Sequence, residues 1–204
     1  MYAGWFQKLD EVPLAGAASL EHLVLSYATR LVDLSFLRDL PALRTLVIDD
    51  MMRLDLTTLP QLPNLVGLAL GGGIWSTMKV ASLAPLTRLP NLRYLTLYSI
   101  RPADGSLRPL SELCNLREVK LPNYFSLGEF ARLSGALVDT KGDVLTPFFI
   151  PDSIPGLWTC PRCTGPRYMM TGRPTAYLCP KCDAAKVDKR IARWEAARAS
   201  GWPA

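Results

Sequence analysis

The 204-residue sequence contains one histidine, His22, and no apolar run near the roughly 20 residues that cross a bilayer. Its first residues, MYAGWFQKLDEV, lack the basic stretch followed by an apolar stretch that marks a secretory signal. No GxxxxGK phosphate loop followed by Ser or Thr is present. These absences disfavour a membrane protein, a secreted protein and a P-loop nucleotide binder. We expect a cytoplasmic chain.

Positive charge is concentrated near the C-terminus. Residues 1–155 carry 14 Lys/Arg against 15 Asp/Glu, a net charge of −1, whereas residues 156–204 carry 9 against 3, a net charge of +6. Four of the five cysteines lie in the same basic segment, in two C-x-x-C pairs. In a cytoplasmic protein this arrangement favours a metal site over disulfides.

A short phrase recurs along the first two thirds of the chain. It reads SLEHLVL from Ser19, ALRTLVI from Ala42, NLVGLAL from Asn64, NLRYLTL from Asn91 and NLREVKL from Asn115. Its central anchors are spaced 22 to 27 residues apart: Leu23, Leu46, Leu68, Leu95 and Val119. An L-x-x-L-x-L pattern with this period predicts a leucine-rich-repeat solenoid. Such a solenoid buries its leucines between neighbouring coils and leaves one long face free for binding.

The residues that precede each strand extend the pattern, as in DLSFLRDLPALRTLVI from Asp33 and ASLAPLTRLPNLRYLTL from Ala81. Over roughly residues 14–140 the chain resembles the short bacterial, internalin-like class of leucine-rich repeat. The resemblance implies a short convex 3₁₀ segment after each strand and a truncated sixth repeat from Phe125 as a cap. That class usually places Asn three residues after the last strand leucine. Here the position holds Ala28, Met51, Gly73, Ile100 and Tyr124, so no asparagine ladder is expected there.

We therefore predict an α/β solenoid: a short right-handed leucine-rich-repeat coil with a parallel concave sheet, then a small zinc-ribbon hairpin and a C-terminal helix. The predicted boundaries are 1–140 for the repeat domain with its N-terminal cap, 141–156 for a linker, 157–183 for the ribbon and 184–204 for the basic helix. Val187, Ile191 and Trp194 have the spacing of one apolar stripe on that helix.

The two C-x-x-C pairs predict a metal site. Cys160 and Cys163 are separated by fifteen residues from Cys179 and Cys182, a spacing at the lower edge of the zinc-ribbon range. Four thiolates suit one tetrahedral zinc, with iron as a minor alternative. The segment resembles zinc ribbons and rubredoxin-like knuckles, which often have Gly after the second cysteine; Thr164 and Asp183 stand there instead. A site closed by four sulfurs has no open position for a substrate, so we expect one structural zinc.

Alternation along the predicted strands assigns side chains to the concave face. The third strand contributes only small residues there, Gly67, Ala69 and Gly71, which predicts a trough. Tyrosine is enriched at binding hot spots. The predicted partner-binding residues are His22, Tyr27, Asp49, Tyr94, Tyr98, Glu118 and Lys120.

These features predict a non-catalytic protein-interaction module of a bacterial cytoplasm, with no membrane partner and no small-molecule substrate evident. His22 and Cys114 belong to repeats four coils apart, roughly 20 Å, so they cannot form a nucleophile pair; Cys114 is expected to be buried. One alternative is a nucleic-acid-associated protein that uses the basic ribbon and helix. Another is a translocated effector that binds a host protein. The candidate nucleic-acid-binding residues are Lys186, Lys189, Arg190 and Arg193.

Overall fold

The computed structural model describes residues 2–4, 16–27, 31–73, 75–150 and 158–202, with side chains from residue 16 onward. It contains two compact units, Met1–Pro122 and Asn123–Ala204. The truncated sixth repeat from Phe125, which the sequence analysis placed at the end of the solenoid, lies in the second unit.

The first unit is built on a six-stranded parallel sheet, the concave sheet, with strand order β1-β2-β3-β4-β6-β8. Each strand belongs to one coil of the solenoid, so the predicted α/β solenoid with a parallel concave sheet is confirmed. A second, two-stranded parallel sheet pairs β5 with β7. The strands are β1 (Tyr2–Gly4), β2 (His22–Ser26), β3 (Thr45–Asp49), β4 (Gly67–Gly71), β5 (Met78–Val80), β6 (Tyr94–Tyr98), β7 (Ile100–Pro102) and β8 (Glu118–Lys120).

The core of the first unit is a stack of aliphatic side chains in register. The predicted anchors Leu23, Leu46, Leu68, Leu95 and Val119 pair directly across neighbouring strands. None of them is more than 3% exposed. Complete burial of one such side chain contributes about 1.5–3 kcal/mol, so the stack is the main source of stability. Short 3₁₀ segments contribute further buried leucines; they are Ser35–Asp39, Leu56–Thr58, Ala84–Arg88 and Arg108–Glu112.

Three asparagines form a ladder just before the strands, not after them. The Nδ2 atoms of Asn64, Asn91 and Asn115 each donate to a carbonyl oxygen one coil earlier, at 2.9, 2.8 and 2.8 Å. The acceptors are Pro41, Pro63 and Pro90, which lie shortly before β3, β4 and β6.

After the strands the chain turns through residues in the left-handed backbone region. Tyr27, Asp50 and Ser99 directly follow β2, β3 and β6 and have φ angles of 58°, 55° and 45°. The corner after these three strands is therefore made by a left-handed backbone conformation.

The second unit combines two helices with a three-stranded antiparallel sheet of order β11-β10-β9. Its strands are β9 (Phe148–Phe149), β10 (Tyr168–Met170) and β11 (Tyr177–Leu178), and its helices are α1 (Leu127–Ala136) and α2 (Ala184–Ser200). Residues 141–150, predicted as the start of the linker, contain a 3₁₀ turn at Asp143–Leu145 and β9. The rest of that linker, residues 151–156, lies outside the described residues.

Helix α2 packs against α1 through the stripe that its sequence predicts. Val187 and Trp194 are buried, with Trp194 only 1% exposed, and Ile191 is half-buried. Close to the C-terminal end of α2, the half-buried Trp202 donates from Nε1 to Glu129 Oε1 at 3.3 Å. Across the described residues, neither helix combines the length and the hydropathy of a membrane span.

We expect the asparagine ladder to contribute measurably to the stability of the solenoid. Asn64→Ala combined with Asn91→Ala removes two side-chain hydrogen bonds, each worth about 0.5–1.5 kcal/mol, and should lower the urea midpoint of the first unit. Gln61→Ala is the matched control, because this exposed amide makes no hydrogen bond within the described residues. Equal midpoints for the double variant and the control would contradict the ladder's role.

Candidate metal centre and binding surfaces

Two backbone knuckles position the four cysteines of the second unit. In the first, the Cys160 carbonyl accepts from Thr164 N–H at 2.8 Å and Cys160 N–H donates to Gly165 O at 2.7 Å. Thr164 has a φ of 57°, so it adopts the conformation for which related knuckles use Gly. In the second knuckle, the Cys179 carbonyl accepts from Asp183 N–H at 2.8 Å, and α2 begins at the next residue.

The four sulfur atoms form one cluster. Cys160, Cys163, Cys179 and Cys182 place their Sγ atoms within 4.8 Å of one another, and Cys160 and Cys179 are buried. A tetrahedral ion with metal–sulfur bonds of about 2.3 Å requires sulfur atoms roughly 3.8 Å apart, so the four residues can hold a metal ion.

The electrostatics of the cluster also favour a cation. The backbone N–H of Arg162 lowers the pKa of the Cys160 thiol to about 6, while the neighbouring thiols, Cys163 first, raise the pKa of Cys182 to about 12. Thiolates this close repel one another, so four of them coexist only when a positive ion lies between them.

Asp183 connects the two knuckles. Its Oδ1 accepts from Arg162 Nη2 at 2.7 Å and its Oδ2 accepts from Cys179 N–H at 3.1 Å. These contacts, the Arg162 hydrogen bond first, hold the pKa of Asp183 below its usual range. Outer partners of this kind orient metal ligands. The sequence analysis noted Asp183 only because it stands where related knuckles often have Gly. The sequence feature that could have predicted this contact is Arg162, which lies inside the other C-x-x-C pair.

On the concave sheet, the register aligns the predicted outward side chains in rows. One row runs His22, Thr45, Gly67, Tyr94 and Glu118, and the next runs Val24, Val47, Ala69, Thr96 and Lys120. The predicted trough is therefore flanked by β6, where Tyr94 is 50% exposed. Tyr27, just beyond β2, is 49% exposed.

Tyr98 and Asp49 are half-buried, unlike the more exposed Tyr94 and Tyr27. The ring of Tyr98 lies so close to Gly71 that any side chain there would collide with it. Burial, together with Asp49 and Asp50, raises the pKa of Tyr98 to about 12. A hydrogen bond with Asp50 likewise raises the pKa of Tyr27. Oδ1 of Asp49 is enclosed and has no hydrogen-bond partner among the described residues.

The last coil carries charges that already satisfy each other. Lys120 Nζ lies 3.1 Å from Glu118 Oε1, and both side chains are well exposed. An exposed pair of this kind contributes little to stability. These two predicted binding residues therefore present an ion pair at the end of the concave face.

The fold has counterparts among solved structures. No family model matches the chain, and no curated protein matches it. An internalin, inlF, from Listeria monocytogenes str. 4b F2365 superposes with a TM-score of 0.51 and 25% identity, covering 64% of this chain and 36% of that one. The solenoid is internalin-like. Internalin C2, inlC2, of the same strain gives a TM-score of 0.47 and 23% identity over 65% of this chain and 54% of that one.

The chain therefore spans about a third of the first of these structures and about half of the second. The predicted resemblance to internalin-like repeats is confirmed, together with a four-cysteine cluster that can bind a metal.

The four basic residues predicted for nucleic-acid binding separate into two kinds. Lys186, Lys189 and Arg193 are exposed on α2. Arg190 is half-buried, and its Nη2 donates to the carbonyl oxygens of Thr171 at 3.1 Å and Gly172 at 2.6 Å. Arg190 thus stabilises the turn between β10 and β11. Its guanidinium is engaged by these two carbonyl oxygens, whereas the other three side chains are exposed to solvent.

The aromatic residues of the ribbon stack on one another. Trp158 lies 4.8 Å from Tyr177 and Phe148 lies 4.0 Å from Tyr168, measured between ring centroids. These rings therefore pack in pairs, although Tyr177 remains 38% exposed.

Cys114 is exposed, so the prediction that it is buried is wrong. It occupies the turn position that Pro41, Pro63 and Pro90 take in the other coils, and these prolines are exposed as well. The exposure of Cys114 therefore follows from its position in the repeat, and the usual preference of cysteine for the protein interior does not decide it.

We expect loss of one knuckle ligand to release the metal and unfold the second unit. Cys179→Ser leaves three sulfurs and should reduce the bound metal from about one ion per chain to near zero, since structural sites supply folding energy. Elemental analysis and near-UV circular dichroism measure both effects. Cys114→Ser, a change of the same atoms at an exposed site, should leave both unchanged. Full metal content in Cys179→Ser would refute the assignment.

Proposed function

We propose that this chain is a non-catalytic protein-interaction module that binds a protein partner through the concave face of its internalin-like solenoid. The observation that carries this proposal is the shallow trough of Gly67 and Ala69 between the larger side chains of β3 and β6, closed at Gly71 by the ring of Tyr98. Small residues let a partner's backbone approach the sheet closely, and Tyr94 beside them offers half of its surface for contact.

The chemistry of the outward residues supports recognition by contact and not by catalysis. His22 lies in β2 and Cys114 precedes β8, four strand spacings or about 19 Å apart, so these two residues do not form a nucleophile–base pair. The sulfur cluster uses all four positions of a tetrahedral ion and leaves none for a substrate.

We propose zinc as the ion. Four cysteine ligands at two C-x-x-C knuckles are the donor set of structural zinc sites, and iron is the alternative. Thiolate ligands of this kind persist where thiols stay reduced, which supports a cytoplasmic location. The internalin inlF, which shares the fold of the solenoid, comes from a bacterium, and this supports a bacterial origin.

The concave-face proposal predicts that two exposed tyrosines carry the interaction. Tyr27→Ala with Tyr94→Ala should weaken partner binding at least tenfold, about 1.4 kcal/mol, because truncated tyrosine anchors commonly cost this much or more. The measurement is a quantitative pull-down from the native cell with the metal-loaded chain as bait.

Tyr124→Ala is the matched control, since Tyr124 is 43% exposed and lies outside the concave sheet. Tyr98 is unsuitable as the main test because its ring is packed on Gly71. If the partner remains bound to the double variant, or is lost equally in the control, the concave face is not the binding surface.

A second candidate function is nucleic-acid association through α2, favoured by the exposed side chains of Lys186, Lys189 and Arg193. Phosphate contacts by such residues release counterions, so affinity falls steeply with salt.

This second candidate makes its own prediction. Lys186→Ser, Lys189→Ser and Arg193→Ser together should reduce the slope of log affinity against log salt by about 2 for a single-stranded oligonucleotide, at roughly 0.7 per lost contact. Fluorescence anisotropy between 50 and 300 mM NaCl measures it. An unchanged slope, or no binding by the wild type, would eliminate this candidate.

A further inference from the structure

The second sheet of the solenoid carries a ladder of three positive charges. Lys79 in β5 pairs in parallel register with Arg101 in β7, and Arg53 of the preceding coil forms a parallel bridge with Lys79. All three side chains are exposed. In β5 and β7 the neighbouring residues on either side are buried, so the cations alternate outward. Successive strands lie about 4.8 Å apart, which brings three cations side by side.

No carboxylate neutralises this ladder within the described residues. None of the three cations takes part in an ion pair there. The nearest acidic residues along the chain are engaged in their own turns. Asp55 Oδ1 accepts from Thr57 N–H at 2.9 Å, and Asp104 Oδ1 accepts from Ser106 N–H at 3.1 Å.

Folding alone does not account for the arrangement. Like charges placed directly opposite each other across strands destabilise a sheet. Two large apolar side chains close to the ladder in sequence are also exposed: Met52 before Arg53 at 62%, and Trp75 in the turn that leads into β5 at 97%. Arginine and tryptophan together are typical of surfaces that a partner covers.

The charge balance of the first unit decides which anion fits. Residues 1–122 carry 12 Lys/Arg against 11 Asp/Glu, so this unit has no broad excess of positive charge. Nucleic-acid-binding domains usually carry a broad excess of positive charge. A short acidic segment of a protein, in contrast, can be bound by about three cations that lie close together.

We propose that the ladder of Arg53, Lys79 and Arg101 binds an acidic segment of a partner protein, at a surface distinct from the rows of the concave face. The chain reaches this sheet only after the left-handed corners at Asp50 and Ser99. The interaction therefore stands independently of the tyrosine contacts proposed above.

The test uses the metal-loaded full chain and a fluorescein-labelled deca-glutamate peptide as the probe. Arg53→Gln, Lys79→Gln and Arg101→Gln together should weaken binding at least tenfold in fluorescence anisotropy at 50 mM NaCl. The same triple variant should keep or raise its melting temperature, because the like-charge contacts are gone. The measurement is repeated with Lys186, Lys189 and Arg193 changed to Ser, so that binding by α2 does not mask the ladder.

Arg44→Gln, Arg93→Gln and Arg117→Gln form the matched control. These three exposed arginines directly precede β3, β6 and β8, and they also lack ion pairs within the described residues. We expect the control to bind within about twofold of the wild type. Equal weakening in both variants, no binding of the peptide, or a melting temperature lowered by the ladder variant would overturn the proposal. Ladder-dependent binding of an oligo-dT strand that exceeds that of the peptide would replace the acidic segment with nucleic acid.

Discussion

The stacking of Leu23 on Leu46, Leu68, Leu95 and Val119 is the constraint on which the rest of the first unit depends. In a parallel sheet a shift of one residue would turn every buried leucine outward, so the burial of these side chains determines the register. Once the register is set, the intervening positions align as well. The trough, the tyrosines beside it and the asparagine ladder are consequences of the same apolar stack.

The second unit obtains its stability in a different way. Its strands are only two or three residues long, and its apolar core centres on Trp194 between two helices. A sheet this short buries little surface, and metal ligation commonly compensates in such small folds. Asp183 shows how closely the parts are joined: the residue that precedes α2 also holds an arginine of the opposite knuckle, so ligand geometry and helix start are coupled.

In this protein the net charge of a segment does not show which of its charged side chains are available for binding. The strongly basic C-terminal segment drew attention in the sequence, yet one of its arginines, Arg190, is occupied by backbone carbonyls. The first unit is nearly neutral and still places side by side three cations that form no ion pair within the described residues. Since exposed charges are screened beyond about 10 Å at ordinary salt, the local arrangement governs binding more than the sum does.

Periodicity and spacing alone determined the leucine-rich-repeat class, the anchor residues and the four-cysteine set. The anchors recur at a regular interval and the cysteines lie in two close pairs, so both patterns are visible along the chain without the fold. The tertiary structure decided the rest. Arg53, Lys79 and Arg101 follow their concave strands by four, eight and three residues, so only the folded coils bring them into register. Arg190 meets Gly172, and Cys114 is exposed, for a similar reason: contacts between segments distant in sequence, and the path of the turns, set which side chains are enclosed.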